Sequence, residues 1–237
     1  MKTSTKYIIA FLTFVLVGIL TLFIVTRNHV ETPPKLFKEE FSLPNFSVIV
    51  SGPQTRFYIE SGDTNKLTIS YPGKVKDSRP ISYFVKNDTL FFVEKDDRMN
   101  FERKILIQCA NVKTIVARHN DGLVIEHFNA KSLTILADSG TVDLGCKYYT
   151  NNGELLFSLL DINCIAQNKS IVTIQQIKTD QIKVKAVGSE VYLKNMSIKN
   201  VSADIKDHSR LEGENIEDKE LQIDLKIDSL STYFFRE

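Results

Sequence analysis

The sequence predicts an all-β domain of stacked chain turns, a β-solenoid, carried behind one N-terminal transmembrane helix. Three observations predict it. From Phe41 onward, apolar and polar residues alternate with a period of two almost everywhere, the mark of half-buried strands. A strand–turn–strand unit then recurs: Ile115, Ala117, Asp121-Gly122, Val124; Leu133, Ile135, Ala137, Ser139-Gly140, Val142, Leu144; Ile182, Val184, Ala186, Gly188-Ser189, Val191, Leu193; and Val201, Ala203, Ile205, Asp207-His208-Ser209, Leu211. Its spacing, about 18 residues from Ile115 to Leu133 and about 19 from Ile182 to Val201, is that of a repeat in which each unit covers its neighbour. Finally, Tyr7 to Val25 runs about nineteen residues without a charge, enough to cross a bilayer as a helix.

The totals exclude other classes. The 237 residues carry a net charge of +1, with 30 Lys and Arg set against 29 Asp and Glu along the whole chain. A nucleic-acid partner needs a basic stripe, and none is present. No Trp but 15 Phe, with plentiful Val and Ile, leans toward strand. Three Cys are too few for a disulfide framework.

In order along the chain, residues 1–6 form a short cytoplasmic N-terminus, 7–26 the transmembrane helix, 27–40 a linker and 41–237 the β-solenoid domain. No small-x-small cleavage site lies near Val25–Asn28 and no Cys follows the apolar run, which points to an uncleaved signal-anchor. Lys2, Lys6 and the terminal amine outweigh Arg27, so the N-terminus stays inside. The helix is then the membrane contact: the chain is anchored in the inner membrane with its domain exported to the periplasm or cell envelope. Pro33-Pro34 stiffens the linker.

Within the domain, Phe46, Val48 and Val50 precede a turn at Ser51-Gly52-Pro53. Phe57 and Ile59 precede Ser61-Gly62-Asp63, and Leu67, Ile69 and Tyr71 run into Pro72-Gly73. Ile81–Val85 and Leu90–Phe92 flank Asn87-Asp88 as a hairpin. Leu155–Leu160 reads as a buried strand on grounds of length. Lys183 and Lys185 alternate with Ile182, Val184 and Ala186, which places both lysines on one wet face of a strand. The terminal Ser231–Phe235 reads as an aromatic plug over the last turn.

The F-x-V-x-V-S-G order from Phe46, the strand near Phe57–Glu60, Asp88-Thr89-Leu90 and the later turns at Asp-Gly, Ser-Gly and Gly-Ser resemble the family named putative auto-transporter adhesin, head GIN domain, common in Bacteroidetes. The likeness covers about Phe41–Ile205. It implies a right-handed single-stranded β-helix-like solenoid on the cell envelope with an adhesive role, and it supplies no catalytic residues.

A turn of 18–19 residues has a perimeter of roughly 60 Å. Inward Leu, Ile, Val and Ala fill so small a section, leaving no room for the ~300 Å³ that small ligands need. Binding therefore belongs on the outer faces, to a glycan or an envelope protein. Tyr148, Tyr149 and Tyr192 are the candidate surface-binding aromatics. The competing role for the Tyr148-Tyr149 pair is packing a loop onto the wall. Cys146 and Cys164, one turn apart by numbering, are a candidate disulfide, set against buried free thiols that act as small hydrophobes. His29, His119, His127 and His208 follow no ligand spacing, and no catalytic or nucleotide-binding motif occurs. The expectation is a non-enzymatic module without metal or cofactor, its oligomeric state open. The alternatives are a bactofilin-like polymer, or a carbohydrate-active β-helix enzyme using Glu126, Asp138, Asp143 or Glu190.

Overall fold

The protein is seen here in a computed structural model that describes residues 3–28, 36–52, 56–72, 82–93, 104–119, 122–145, 157–217 and 221–236. It divides into two units, Met1–Leu36 and Phe37–Glu237. In the first, the apolar run forms helix α1 (Thr3–Asn28), and its described side chains at residues 11–23 stand exposed. Among the described residues no helix is long and apolar enough to cross a membrane.

The second unit is all β. Its strands are β1 (Leu36–Ser42), β2 (Val48–Val50), β3 (Arg56–Ser61), β4 (Lys66–Pro72), β5 (Ser82–Lys86), β6 (Thr89–Val93), β7 (Lys104–Cys109), β8 (Thr114–Arg118) and β9 (Gly122–Ile125). There follow β10 (Ser132–Asp138), β11 (Thr141–Leu144), β12 (Phe157–Gln167), β13 (Ile171–Gln175), β14 (Ile177–Val187), β15 (Glu190–Lys206), β16 (Arg210–Ile216), β17 (Gln222–Ile227) and β18 (Thr232–Arg236). Strand β1 begins inside the stretch expected to be linker. The expected plug is itself a strand: β18 pairs parallel with β16, from Arg210 opposite Thr232 to Glu214 opposite Arg236.

Successive passes of the chain pair in parallel on two faces. The first face runs β6, β2, β8, β10, β12, β14, residues 197–206 of β15, then β17. The second runs β7, β3, β9, β11, β13, residues 190–194 of β15, β16, then β18. Thus β2–β3, first in sequence of the parallel passes, lies between β6–β7 and β8–β9. The inward side chains of both faces form one apolar core. One column reads Ile115, Ile135, Cys164, Val184, Ala203, Leu225, and its neighbour Ala117, Ala137, Ala166, Ala186, Ile205, Ile227.

The register corrects one expectation. Ile182 does sit beside Val201, but Ile115 sits beside Ile135 rather than Leu133. Alternation has a period of two, so shifts of 18 and 20 residues bury the same set and the pattern cannot separate them. Of the candidate disulfide pair, Cys164 lies between Ile135 and Val184, and the chain between β11 and β12 lengthens that pass by about ten residues. Cys146 itself lies outside the described residues.

Two corners close each pass, and both are written in the sequence. Where the first face turns into the second, a buried serine recurs. The Ser170 amide donates to Ser189 Oγ (3.1 Å), the Ser189 amide to Ser209 Oγ (3.2 Å), and the Ser209 amide to Ser231 Oγ (3.1 Å). The hydroxyls in turn donate to carbonyls of their own pass, Ser170 to Gln167 and Ser209 to Lys206. Each serine so satisfies a backbone amide that burial would otherwise strand. Left-handed residues stand at both corners, His119, Ser139, Asn168, Gly188 and Asp207 at the serine corner and His127, Gly145, Gln176, Asn195 and Asn215 at the opposite one. At Gly145 (φ 80°) an added Cβ would lie 1.9 Å from the Gln175 carbonyl oxygen, which leaves room for glycine alone. The hairpin expected at Asn87-Asp88 is present, both residues having positive φ as a type I′ turn requires.

Candidate functional site

The outward column of the second face contains Tyr58, Val124, Asp143, Thr173, Tyr192, Glu212 and Phe234 in register. Of the three tyrosines expected to bind, Tyr148 and Tyr149 lie outside the described residues, and Tyr192 is half-buried here. Its hydroxyl donates to Glu190 Oε2, and that bond, before any effect of burial, raises the phenol above its ordinary range. Lys194 Nζ lies 5.3 Å and the Arg210 guanidinium 5.9 Å from the ring centroid. Both cations are also paired, Arg210 with Glu212 at 2.6 Å and Lys194 with Glu214 at 3.7 Å. Tyr192 is therefore the centre of an internal cation–π and ion-pair cluster. A sugar stacking on it would first have to displace those side chains. Tyr58 is similarly engaged, with Lys104 Nζ 4.4 Å from its centroid.

The four carboxylates of the enzymatic alternative are spread out. Asp143 and Glu190 share the second face in different columns, Asp138 ends β10 at the serine corner, and Glu126 follows β9 at the other corner. Burial raises the Asp143 carboxyl, against the lowering effects of a Thr173 hydrogen bond and the Arg56 charge. Asp138 accepts from Asn168 Nδ2 at 2.6 Å, and this bond lowers it. Among the described residues no three His, Cys, Asp or Glu are placed to hold a metal ion. Cys109 and Cys164 are buried free thiols, each pushed up to about 12 by desolvation.

The first face offers a different surface, one that the sequence marked only through Lys183 and Lys185. Two outward columns cross β12, β14, β15 and β17: Asn163, Lys183, Ser202, Asp224, and Ile165, Lys185, Asp204, Lys226. They line an open groove of about 250 Å³. Asp204 sits between Lys185 and Lys226 along its column and also pairs with Lys206 at 3.2 Å. Donors and acceptors thus alternate along the stacking direction at the ~4.8 Å strand spacing. A second cleft of about 270 Å³ lies at the corner opposite the serines, lined by Ser61, Asn111, Lys113, Phe128, Asn129 and Lys131 among others. Ser61 Oγ already accepts from the Asn129 amide there (2.7 Å). The first-face groove is the periodic surface of the two, its lining residues repeating in register across four parallel strands.

No family model and no curated protein matches the chain. Solved structures do. One is of a putative adhesin from Bacteroides fragilis NCTC 9343, with 16% identity and a TM-score of 0.50, covering 85% of this chain and 96% of that one. Another is of a putative adhesin from Parabacteroides merdae ATCC 43184, with 13% identity and a TM-score of 0.50, covering 86% and 97%. A third is of a putative lipid binding protein from Parabacteroides distasonis ATCC 8503, with 11% identity and a TM-score of 0.49, covering 86% and 97%. At such identities the likeness is one of fold.

Proposed function

We propose that this chain is a membrane-anchored binding module of the bacterial cell envelope that holds an extended polymer, a glycan or the edge of an envelope protein, without transforming it. The observation that carries the proposal is the groove on the first face, where Asn163, Lys183, Lys185, Ser202, Asp204, Asp224 and Lys226 repeat polar groups across four parallel strands. A polymer with hydroxyls at regular intervals meets such a ladder many times over, each contact weak and the sum useful. The inward columns are filled by aliphatic side chains, so binding belongs to the outside of the fold. The adhesins of similar fold from Bacteroidetes support the binding role. In this proposal the stacked passes form a right-handed β-helix-like solenoid of the head GIN kind. Helix α1, with its apolar run of residues 7–25, is the anchor that leaves the domain in the periplasm or on the envelope.

The test is a panel of envelope polysaccharides presented to the full chain in detergent, with binding and released reducing ends measured together. The expected result is a saturable binder, no release, and loss of affinity by about tenfold in the double variant Lys183→Glu/Lys185→Glu. Affinity that survives this variant but falls in Tyr192→Ala would move the site to the second face. Steady release of reducing ends would replace the binding module with an enzyme. Protease applied to spheroplasts should remove the domain from the anchor; complete protection until lysis would place the domain in the cytoplasm.

A further inference from the structure

Strand β17 lies at the end of the first face and pairs only with β15 among the described residues, so one of its edges is open. The Asp228 amide donates back to the Ile205 carbonyl (3.2 Å). By the two-residue alternation of a strand, the N–H and C=O groups of Ile223, Leu225 and Ile227 point to the open edge. Their side chains continue the apolar columns of the core, yet Ile223 is 41% and Ile227 39% exposed, no further pass among the described residues covering them. Leu230 and Tyr233 beside them are 56% and 54% exposed. Bare hydrogen-bonding groups above a bare apolar row are what pairing with another strand requires.

The strand's own sequence says which one. We infer that β17 pairs antiparallel with β17 of a second copy about a two-fold axis through Leu225, joining two molecules end to end as a closed dimer. About that axis Gln222-Ile223-Asp224-Leu225-Lys226-Ile227-Asp228 is self-complementary. Leu225 meets its own copy, and Ile223 meets Ile227 on the core side in both directions. On the outer side Asp224 meets Lys226, again twice. Leu225, Ile223 and Ile227 then form the hydrogen-bonded pairs. Asp224 and Lys226 fall in the non-hydrogen-bonded position, where opposed side chains are nearest. Shifting the axis by one residue sets Asp224 against Asp224, or Lys226 against Lys226. The charges therefore select one register of the three. An isologous contact of this kind uses up both open edges and stops at two copies, whereas head-to-tail stacking would continue as a filament. The groove columns ending in Asp224 and Lys226 run on across the joint, which doubles the polymer-binding face.

The full chain in density-matched detergent, studied by sedimentation equilibrium, tests this. The wild type should be a dimer. Asp224→Lys alone, or Lys226→Asp alone, replaces two attractions by two like-charge contacts and should weaken the dimer by about tenfold or more. The double variant Asp224→Lys/Lys226→Asp restores both opposed pairs and should restore the dimer. Unchanged thermal unfolding of the dilute monomers will show that the single variants fold. A monomeric wild type, an open-ended series of larger species, or a double variant no better than the singles would each overturn the proposal.

Discussion

At one extremity of the β domain the parallel passes are covered; at the other they stop bare. Strand β4 runs antiparallel onto β7, β5 antiparallel onto β6, and β1 pairs outside β4. Leu67 and Ile69 of this cover are buried, as are Leu90 and Phe92 of β6, and the outermost strand carries Lys38, Glu39 and Glu40, with Glu40 paired to Lys66 at 2.6 Å. Charges on an outer strand discourage further pairing. At the far extremity β17 and β18 continue the parallel order with no strand beyond them among the described residues, and none of their side chains is buried. Phe235 folds over Gly213, where a Cβ would come within 2.3 Å of its ring, and this is as near to a cap as that end has. Antiparallel strands thus cover one extremity of the parallel stack, while at the other the last described pass keeps its apolar row exposed.

The widest measurable difference lies in the core. Leu67→Ala, on the inner side of the cover, should cost about 2–5 kcal/mol, because a fully buried side chain leaves both a transfer loss and a cavity. Ile223→Ala, in the bare pass, should cost about 1 kcal/mol or less in dilute protein, since water already reaches the side chain. Denaturant titration of the two variants side by side checks this. Equal losses at concentrations below association would mean that something within the chain covers β17.

The serine corner gives a smaller contrast along the same axis. Ser189→Ala leaves the buried Ser170 amide without its acceptor and should cost about 1–3 kcal/mol. Ser231→Ala removes the acceptor of the Ser209 amide at the bare end, where Ser231 is only half-buried and water can substitute, so its cost should be distinctly less. Melting temperatures of both variants would order them. A larger effect at Ser231 would break the correspondence between position in the stack and dependence on the ladder.

These contrasts also explain what could be read in advance. Alternation identified the inward residues Leu133 to Leu144, Ile182 to Leu193 and Val201 to Leu211, because a face buried on one side imposes a period of two, but in the first unit it took the outward Val124 in place of Leu123 and Ile125. It could not fix the shift between passes, hence Leu133 in place of Ile135, nor foresee that β2–β3 lies inside β6–β7, since strand order leaves no trace in alternation. Ser231-Thr-Tyr-Phe-Phe looked like a plug because its aromatics suggested a lid; pairing with β16 made them one more pass. The serine ladder is not legible in the sequence, where Ser189 and Ser209 read only as turn residues, because its hydrogen bonding between passes depends on three-dimensional stacking. Tyr192 was rightly placed outward, while the cations over its ring come from Lys194 on its own strand and Arg210 on the next.

The finest contrast is in titration. Asp143 lies within the stack and burial raises its carboxyl; Asp228 lies at the bare end and is lowered, first by a Ser231 side-chain hydrogen bond and then by the Asp207 amide. A raised carboxyl means that the folded state holds its proton more tightly. The contribution of Asp143 to stability is therefore full below the unfolded value near 3.8 and is lost as pH rises through its folded value. For Asp228 the sign reverses: its contribution is present above about 3.8 and is lost as pH falls through its lowered folded value. Asp143→Asn should consequently gain on the wild type as pH rises from 3 to 7, whereas Asp228→Asn should lose ground over the same interval by a smaller amount, its carboxylate being open to solvent. Unfolding free energies of the three proteins across that range would show two difference curves of opposite slope. Parallel curves would mean that the two carboxylates share one environment, and that the bare end is enclosed after all.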